Sequence, residues 1–201
     1  MSDIANKKEC IVEKSLENAM TYSEYRTLAK AIAQKNTTSE NDNLAQYNIL
    51  NDRRMHRLDK TLKVPTELAE KAKSFSGNHT WLVITESWCG DAAHALPMIN
   101  KIAELNTGVD LKIVERDKHE DLMNAFLTNG NKSIPKLIAF NNDTQEIIAD
   151  WGPRPLSAAK LVAEFKEQNG ALTPQFKQDL QMWYNKNKGV SIAVDLVQLL
   201  N

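Results

Sequence analysis

Cysteine is scarce in this sequence: 201 residues include two, Cys10 and Cys89. A small secreted domain held together by disulfides carries more and spaces them closely, so a disulfide framework is excluded. An excess of charge of one sign is also missing. The 25 basic and 26 acidic residues leave a net charge of −1, which gives no overall pull toward nucleic acid or a membrane surface. No apolar run approaches the ~20 residues that span a bilayer. The opening stretch Met1-Ser2-Asp3-Ile4-Ala5-Asn6-Lys7-Lys8 lacks the apolar segment of a secretory signal. These absences lead us to expect a cytoplasmic protein, and they set no oligomeric state. What is present is ordinary globular composition, 42% hydrophobic and 25% charged. The length allows one α/β domain with an appendage.

Residues 1–10 are polar and read as a frayed end. Thr21 with Glu24 fits a capping box, and Tyr25, Leu28, Ala29 and Ile32 mark one face of a helix over 22–35. Polar residues 36–43 form a break. Leu44, Tyr47, Asn51, Met55, Leu58 and Leu62 recur at three- and four-residue steps as a second helix, and Pro65 starts a third that runs to Phe75. The period then changes. Residues 81–85 read as a buried strand, 91–106 as a helix interrupted at Pro97, 111–114 as a strand and 119–127 as a short helix. Residues 135–140 and 146–151 read as two strands of a hairpin, and 156–165 as a helix. Two more helices follow, the first starting at Thr173-Pro174 and the second set off by Gly189. This order predicts an α/β fold with a four-stranded mixed sheet and helices on both faces. The expected division is a helical N-terminal extension over 1–77, the α/β domain over 78–168, and C-terminal helices over 169–201 packed on that domain.

Between the first strand and its helix lies Glu86-Ser87-Trp88-Cys89-Gly90-Asp91. This places Cys89 at a helix N-terminus, where unpaired amides and the macrodipole favour an anion. A free thiol titrates near ~8.5, and such a position lowers that value. Gly90 permits a tight turn and leaves the sulfur accessible. The expectation is a Cys89 more acidic than a free cysteine, and nucleophilic. His94 stands about 140° further round the helix and reads as a surface or capping histidine. Cys89, Asp91 and His94 lack the paired ligand motifs of a zinc site, so neither metal nor cofactor is expected. Arg53, Arg54, His56, Arg57 and Lys60 form a basic stripe, either a solvated face or a groove for acidic groups. Cys10 reads as a solvated tail thiol, with a resolving role as the sharper alternative.

Trp88-Cys89-Gly90 after an apolar strand resembles the Trp-Cys-Gly-Pro-Cys signature of the thioredoxin family. Pro97, eight residues after Cys89, falls where that family kinks its active-site helix. Ser133-Ile134-Pro135 resembles the family's cis-proline loop, which lies beside the reactive sulfur and binds substrate main chain. With Trp151-Gly152-Pro153-Arg154-Pro155, the set resembles a bacterial thioredoxin-like subgroup with a helical N-terminal extension. The resemblance implies a thioredoxin-like three-layer sandwich, an active-site motif of Trp88, Cys89, Gly90 and Asp91, and substrate binding by Ser133, Ile134 and Pro135. Three departures stand out. Ala92 occupies the place of the second cysteine, Asp91 that of the motif proline, and Val83 that of a buried aspartate whose work Glu86 or His94 would have to share. Arg154 is placed near the edge of the site.

The resulting expectation is a monothiol that exchanges thiol and disulfide through Cys89. Its partners would be proteins or low-molecular-weight thiols and disulfides, with an external thiol as resolver. The alternative is a redox-inactive binding module for a protein or peptide. A thiol peroxidase is a weaker third, since no basic partner for a sulfenic acid is visible nearby.

Overall fold

A computed structural model describes residues 2–35 and 43–200. Strand β1 (His79–Thr85) is buried along its whole length, as expected of a central strand covered on both faces. It pairs in parallel with β2 (Val109–Glu115) and antiparallel with β3 (Lys136–Asn141). Strand β4 (Glu146–Trp151) pairs antiparallel with β3, so the sheet order is β2-β1-β3-β4. The helix we label α5 (Gly90–Ala103) makes the crossover between the two parallel strands. The α/β fold and four-stranded mixed sheet are as expected.

Before the sheet come α1 (Ser2–Leu16), α2 (Tyr22–Lys35), α3 (Asn43–Thr61) and α4 (Thr66–Lys73). Residues 2–10 of the frayed end expected over 1–10 belong instead to α1, and Met1 lies outside the described residues. Ile11, Val12, Ser15, Leu16 and Ala19 recur at helical spacing, and Val12 and Ser15 are buried. The capping box forms as expected: the Thr21 amide donates to Glu24 Oε2 at 2.7 Å and the Glu24 amide donates to Thr21 Oγ1 at 3.3 Å. Most of the break expected over 36–43 lies outside the described residues, and Asn43 already belongs to α3.

The extension closes the β2 edge of the sheet. Met20 and Ile113 exchange two backbone hydrogen bonds of 2.8 Å, which occupy groups that a bare edge strand would expose. Tyr25, Met55, Leu58, Leu62 and Ala72 from the first helices join one apolar core with the sheet and α5.

Helix α5 runs through Pro97 without a break and stops at Ala103, short of the expected 106. Asn106 acts instead as a connector: its Nδ2 donates to the carbonyls of Ala72 and Phe75 at 2.8 and 2.7 Å, and its Oδ1 accepts from the Gly108 amide at 2.7 Å. After the sheet come α7 (Leu156–Asn169), α8 (Pro174–Asn187) and α9 (Val190–Val197), while the short α6 (Glu120–Ala125) sits between β2 and β3.

Asp195 of α9 accepts from Trp151 Nε1 at 3.0 Å and from the Leu156 amide at 2.8 Å, which ties α9 to the turn after β4. In that turn Gly152 has φ 114°, and Gly152-Pro153 is cis, as is Ile134-Pro135. A Cβ on Gly152 would come within 2.2 Å of the Pro135 carbonyl oxygen, so the two proline loops rest directly on each other. Replacement of Gly152 by alanine is therefore expected to lower stability by at least about 2 kcal/mol in urea denaturation; a loss below about 0.5 kcal/mol would mean that the contact relaxes freely.

A candidate active site at the start of helix α5

Cys89 is the N-cap of α5, with φ −78° and ψ 114°. Its Sγ accepts from the Ala92 amide at 3.5 Å and donates to the Ile134 carbonyl at 3.4 Å. The sulfur is thus held between the first turn of a helix and the residue before a cis proline. Ser133 lies on the same loop, half-buried, its amide bonded to Asn131 O at 2.8 Å. Trp88 is half-buried, with the Arg116 guanidinium 4.9 Å over its ring. From the other side Asn51 of α3, fully buried, donates to the Ser87 carbonyl at 3.1 Å and accepts from Arg54 at 2.8 Å. The extension thereby positions the loop that carries Trp88 and Cys89.

Two expectations for Cys89 are overturned. Gly90 does not leave the sulfur accessible: the residue is 8% exposed. Nor is the thiol acidic. Burial, and then the charge of Asp91, push it up to about 12, against the Ala92 and Asp91 amides and Arg154. Helix-end effects are worth about 1 kcal/mol, whereas full burial moves a titration by up to 3–5 units. Desolvation wins.

The Asp91 carboxylate is nearly enclosed. Arg154 Nη2 lies 2.6 Å away, the two side chains 23% and 12% exposed, and Tyr184 Oη of α8 donates to the other oxygen at 3.0 Å. Burial raises the Asp91 carboxyl, and Arg154 and Tyr184 hold it back. Arg154 therefore stands at the edge of the site, where it was expected.

His94 is not on the surface. It is 3% exposed, stacked on Tyr184 at 4.5 Å and 8°, and joined to Gln181 by a 3.0 Å hydrogen bond from Nε2 to Oε1. Burial, with Arg54 and Arg57 adding to it, pushes His94 down to about 3. The imidazole is neutral at ordinary pH and turned toward α8. Glu86 is buried too, and burial raises it. Its carboxylate accepts from the Asp117 amide at 3.0 Å, and its carbonyl accepts from the Cys89 amide at 3.1 Å.

The basic stripe divides. Arg53, His56 and Lys60 are exposed. Arg57 donates to Asn185 of α8 at 2.8 Å, and Arg54 Nη1 would lie 3.7 Å from a Cβ on Gly90. Cys10 is exposed on a helix, rather than on a tail. Among the described residues no group of three His, Cys, Asp or Glu side chains is placed to hold a metal ion, and Asp91 and His94 have the partners given above. No helix among them is long and apolar enough to cross a membrane. Tyr184 and Gln181 were not singled out from the sequence, and Asn51 was read only as part of a helix face. Each lies 36 to 93 residues from its partner in the site, and no local pattern marks such a pairing.

A family model described as Thioredoxin matches residues 37–166. Among solved structures, the chain is similar to a Pseudomonas aeruginosa protein of unknown function, with 14% identity over 92% of this chain and 93% of that one and a TM-score of 0.61. It is also similar to an HIV epitope-scaffold, with 16% identity over 90% and 97% of the two chains and a TM-score of 0.55. At such identities the likeness is one of fold. No curated protein matches.

Arg154→Ala leaves the Asp91 carboxylate buried without its cation. We expect a loss of about 3 kcal/mol in urea denaturation, and partial recovery when Asp91→Asn is added. A loss below about 1 kcal/mol would show that water replaces the guanidinium easily.

Proposed function

The chain belongs to the thioredoxin family, and on that premise we propose that it is a monothiol that performs thiol–disulfide exchange through Cys89. The observation that carries this reading is the place of the sulfur. It sits at the helix N-cap, 3.4 Å from the carbonyl of Ile134, where a chain lying along Ser133, Ile134 and Pro135 would bring a disulfide within reach. We assign the thioredoxin unit to residues 78–168, with 1–77 and 169–201 as helical additions that complete the site.

In the proposed reaction the Cys89 thiolate attacks one sulfur of a protein or low-molecular-weight disulfide. A new S–S bond forms, the old one breaks, and the departing sulfur leaves as a thiolate that takes up a proton. Ala92 stands where a resolving cysteine would be, so a second, external thiol attacks the mixed disulfide. A disulfide between that thiol and the bound sulfur forms, the S–S bond to Cys89 breaks, and Cys89 leaves as a thiolate that takes up a proton. The setting we assign to this chemistry is the reducing cytoplasm.

The resting thiol is not yet a nucleophile, because burial is the largest cause of its raised titration. Water that enters the site removes that cause. It leaves the two amides and Arg154 to favour the thiolate, against Asp91. A second reading, a groove that binds a protein or peptide without redox chemistry, is favoured by the same burial of Cys89.

Intact-mass analysis after exposure to oxidised glutathione separates the two. Exchange predicts a single adduct that persists in Cys10→Ser and is lost in Cys89→Ser. An adduct at Cys89 only after denaturation would instead favour the binding module.

A further inference from the structure

Helix α8 lies across the turn that Cys89 begins. Of its 14 residues, Leu180 and Tyr184 are buried, whereas α9, with 8 residues, buries Ile192, Ala193, Leu196 and Val197. The grip of α8 on the site is polar and aromatic: Tyr184 on Asp91 and on the face of His94, Gln181 on His94, and Asn185 on Arg57. Its amide or carbonyl tips also approach Gly90, where a Cβ would lie 3.7 Å from Gln181 Nε2.

The chain enters the α7–α8 connection and leaves α8 through residues of positive φ. Gly170 has φ 75° with open space beside its α-carbon, and Lys188 and Gly189 have φ 52° and 76°. Gly189 itself is pinned, since a Cβ there would come within 2.7 Å of Met98 Cε. The chain therefore has a firmly anchored α9, a fixed junction, and a lightly anchored α8. Segments with few buried apolar groups and partners at the surface open at a lower free energy than the core around them.

We infer that α8 is a displaceable cover, latched by Tyr184 and Gln181, whose departure from the first turn of α5 admits substrate to Cys89. The inference rests on the exchange reading, for which it supplies the opening step. When α8 leaves, Gly90, Asp91 and His94 are uncovered. The Asp91–Arg154 ion pair, made between α5 and the turn after β4, keeps the carboxylate satisfied. The polar groups α8 gives up are a phenol and two amides, all of which water can serve; the apolar cost is Leu180 and the half-buried Phe176 and Trp183, fewer fully buried groups than α9 holds.

The test uses the full-length chain in a Cys10→Ser background, with two readouts that require no disulfide chemistry. One is hydrogen exchange of amides in 174–187 against those in 190–197. The other is the rate at which iodoacetamide alkylates Cys89. Tyr184→Ala removes a buried hydrogen bond and a ring stack, so both α8 exchange and Cys89 alkylation should rise about tenfold, with α9 exchange unchanged. Gln181→Ala, a milder change at a half-exposed residue, should move both readouts the same way by a smaller factor, and it decides the matter if Tyr184→Ala also loosens α9. Faster α8 exchange with unchanged alkylation would overturn the cover, as would two variants that change neither. A Cys89 that alkylates faster in these variants yet never forms a glutathione adduct would uphold the cover and overturn exchange.

Discussion

The Asp91 carboxylate is taken out of water at the start of α5, and Arg154 and Tyr184 make that possible. An enclosed carboxylate without such partners would cost several kcal/mol, so each neighbour must arrive from its own part of the chain. Arg154 comes from the turn after β4, which needs Gly152 to let that turn touch the Pro135 carbonyl. The same turn is fixed by Asp195 of α9, which accepts from Trp151 and Leu156. Tyr184 comes from α8. Helices α8 and α9 therefore supply contacts around the candidate site, as does α3, whose Asn51 donates to the carbonyl of Ser87.

That enclosure governs the sulfur. A helix N-cap is a good place for a thiolate, and here the Ala92 amide points at it. The same turn, however, is shut off from water and carries a carboxylate two residues on, at Asp91. Desolvation and like charge raise the thiol further than the helix end lowers it. The thiol keeps its proton and donates a hydrogen bond to Ile134 O. With Ala92 in the second position no disulfide forms within the turn, and the exchange we propose uses one sulfur and an outside partner.

Much of the scaffold was legible in the residues. The largely apolar, β-branched run 81–85, the Thr21–Glu24 box, the Thr173 N-cap and the place of Cys89 before a helix are local signals with local causes. The Ser133-Ile134-Pro135 loop was expected beside the sulfur, and Ile134 is there. What escaped was set by distant partners. His94 reads as a surface residue on its own helix, and it is covered by Gln181 and Tyr184 of α8, 87 and 90 residues away in sequence. The acidity expected of Cys89 failed for the same reason, because burial is a property of the assembled site. At the N-terminus the spacing of Ile11, Val12, Ser15 and Leu16 did signal a helix, and polar composition masked it.

The claim on which the account turns is that burial keeps the Cys89 thiol protonated in the closed protein. Thiolate absorbance, followed against pH as the difference between Cys10→Ser and the Cys10→Ser, Cys89→Ser double variant, reads this directly. A thiol raised on folding adds stability below the free-thiol range, and that contribution is lost as pH climbs from ~8.5 toward the folded value. The account predicts no Cys89 transition in the free-thiol range and a rise that continues toward about 12. A transition at or below ~8.5 would contradict it, and would mean that the first turn of α5 stands open to water at rest.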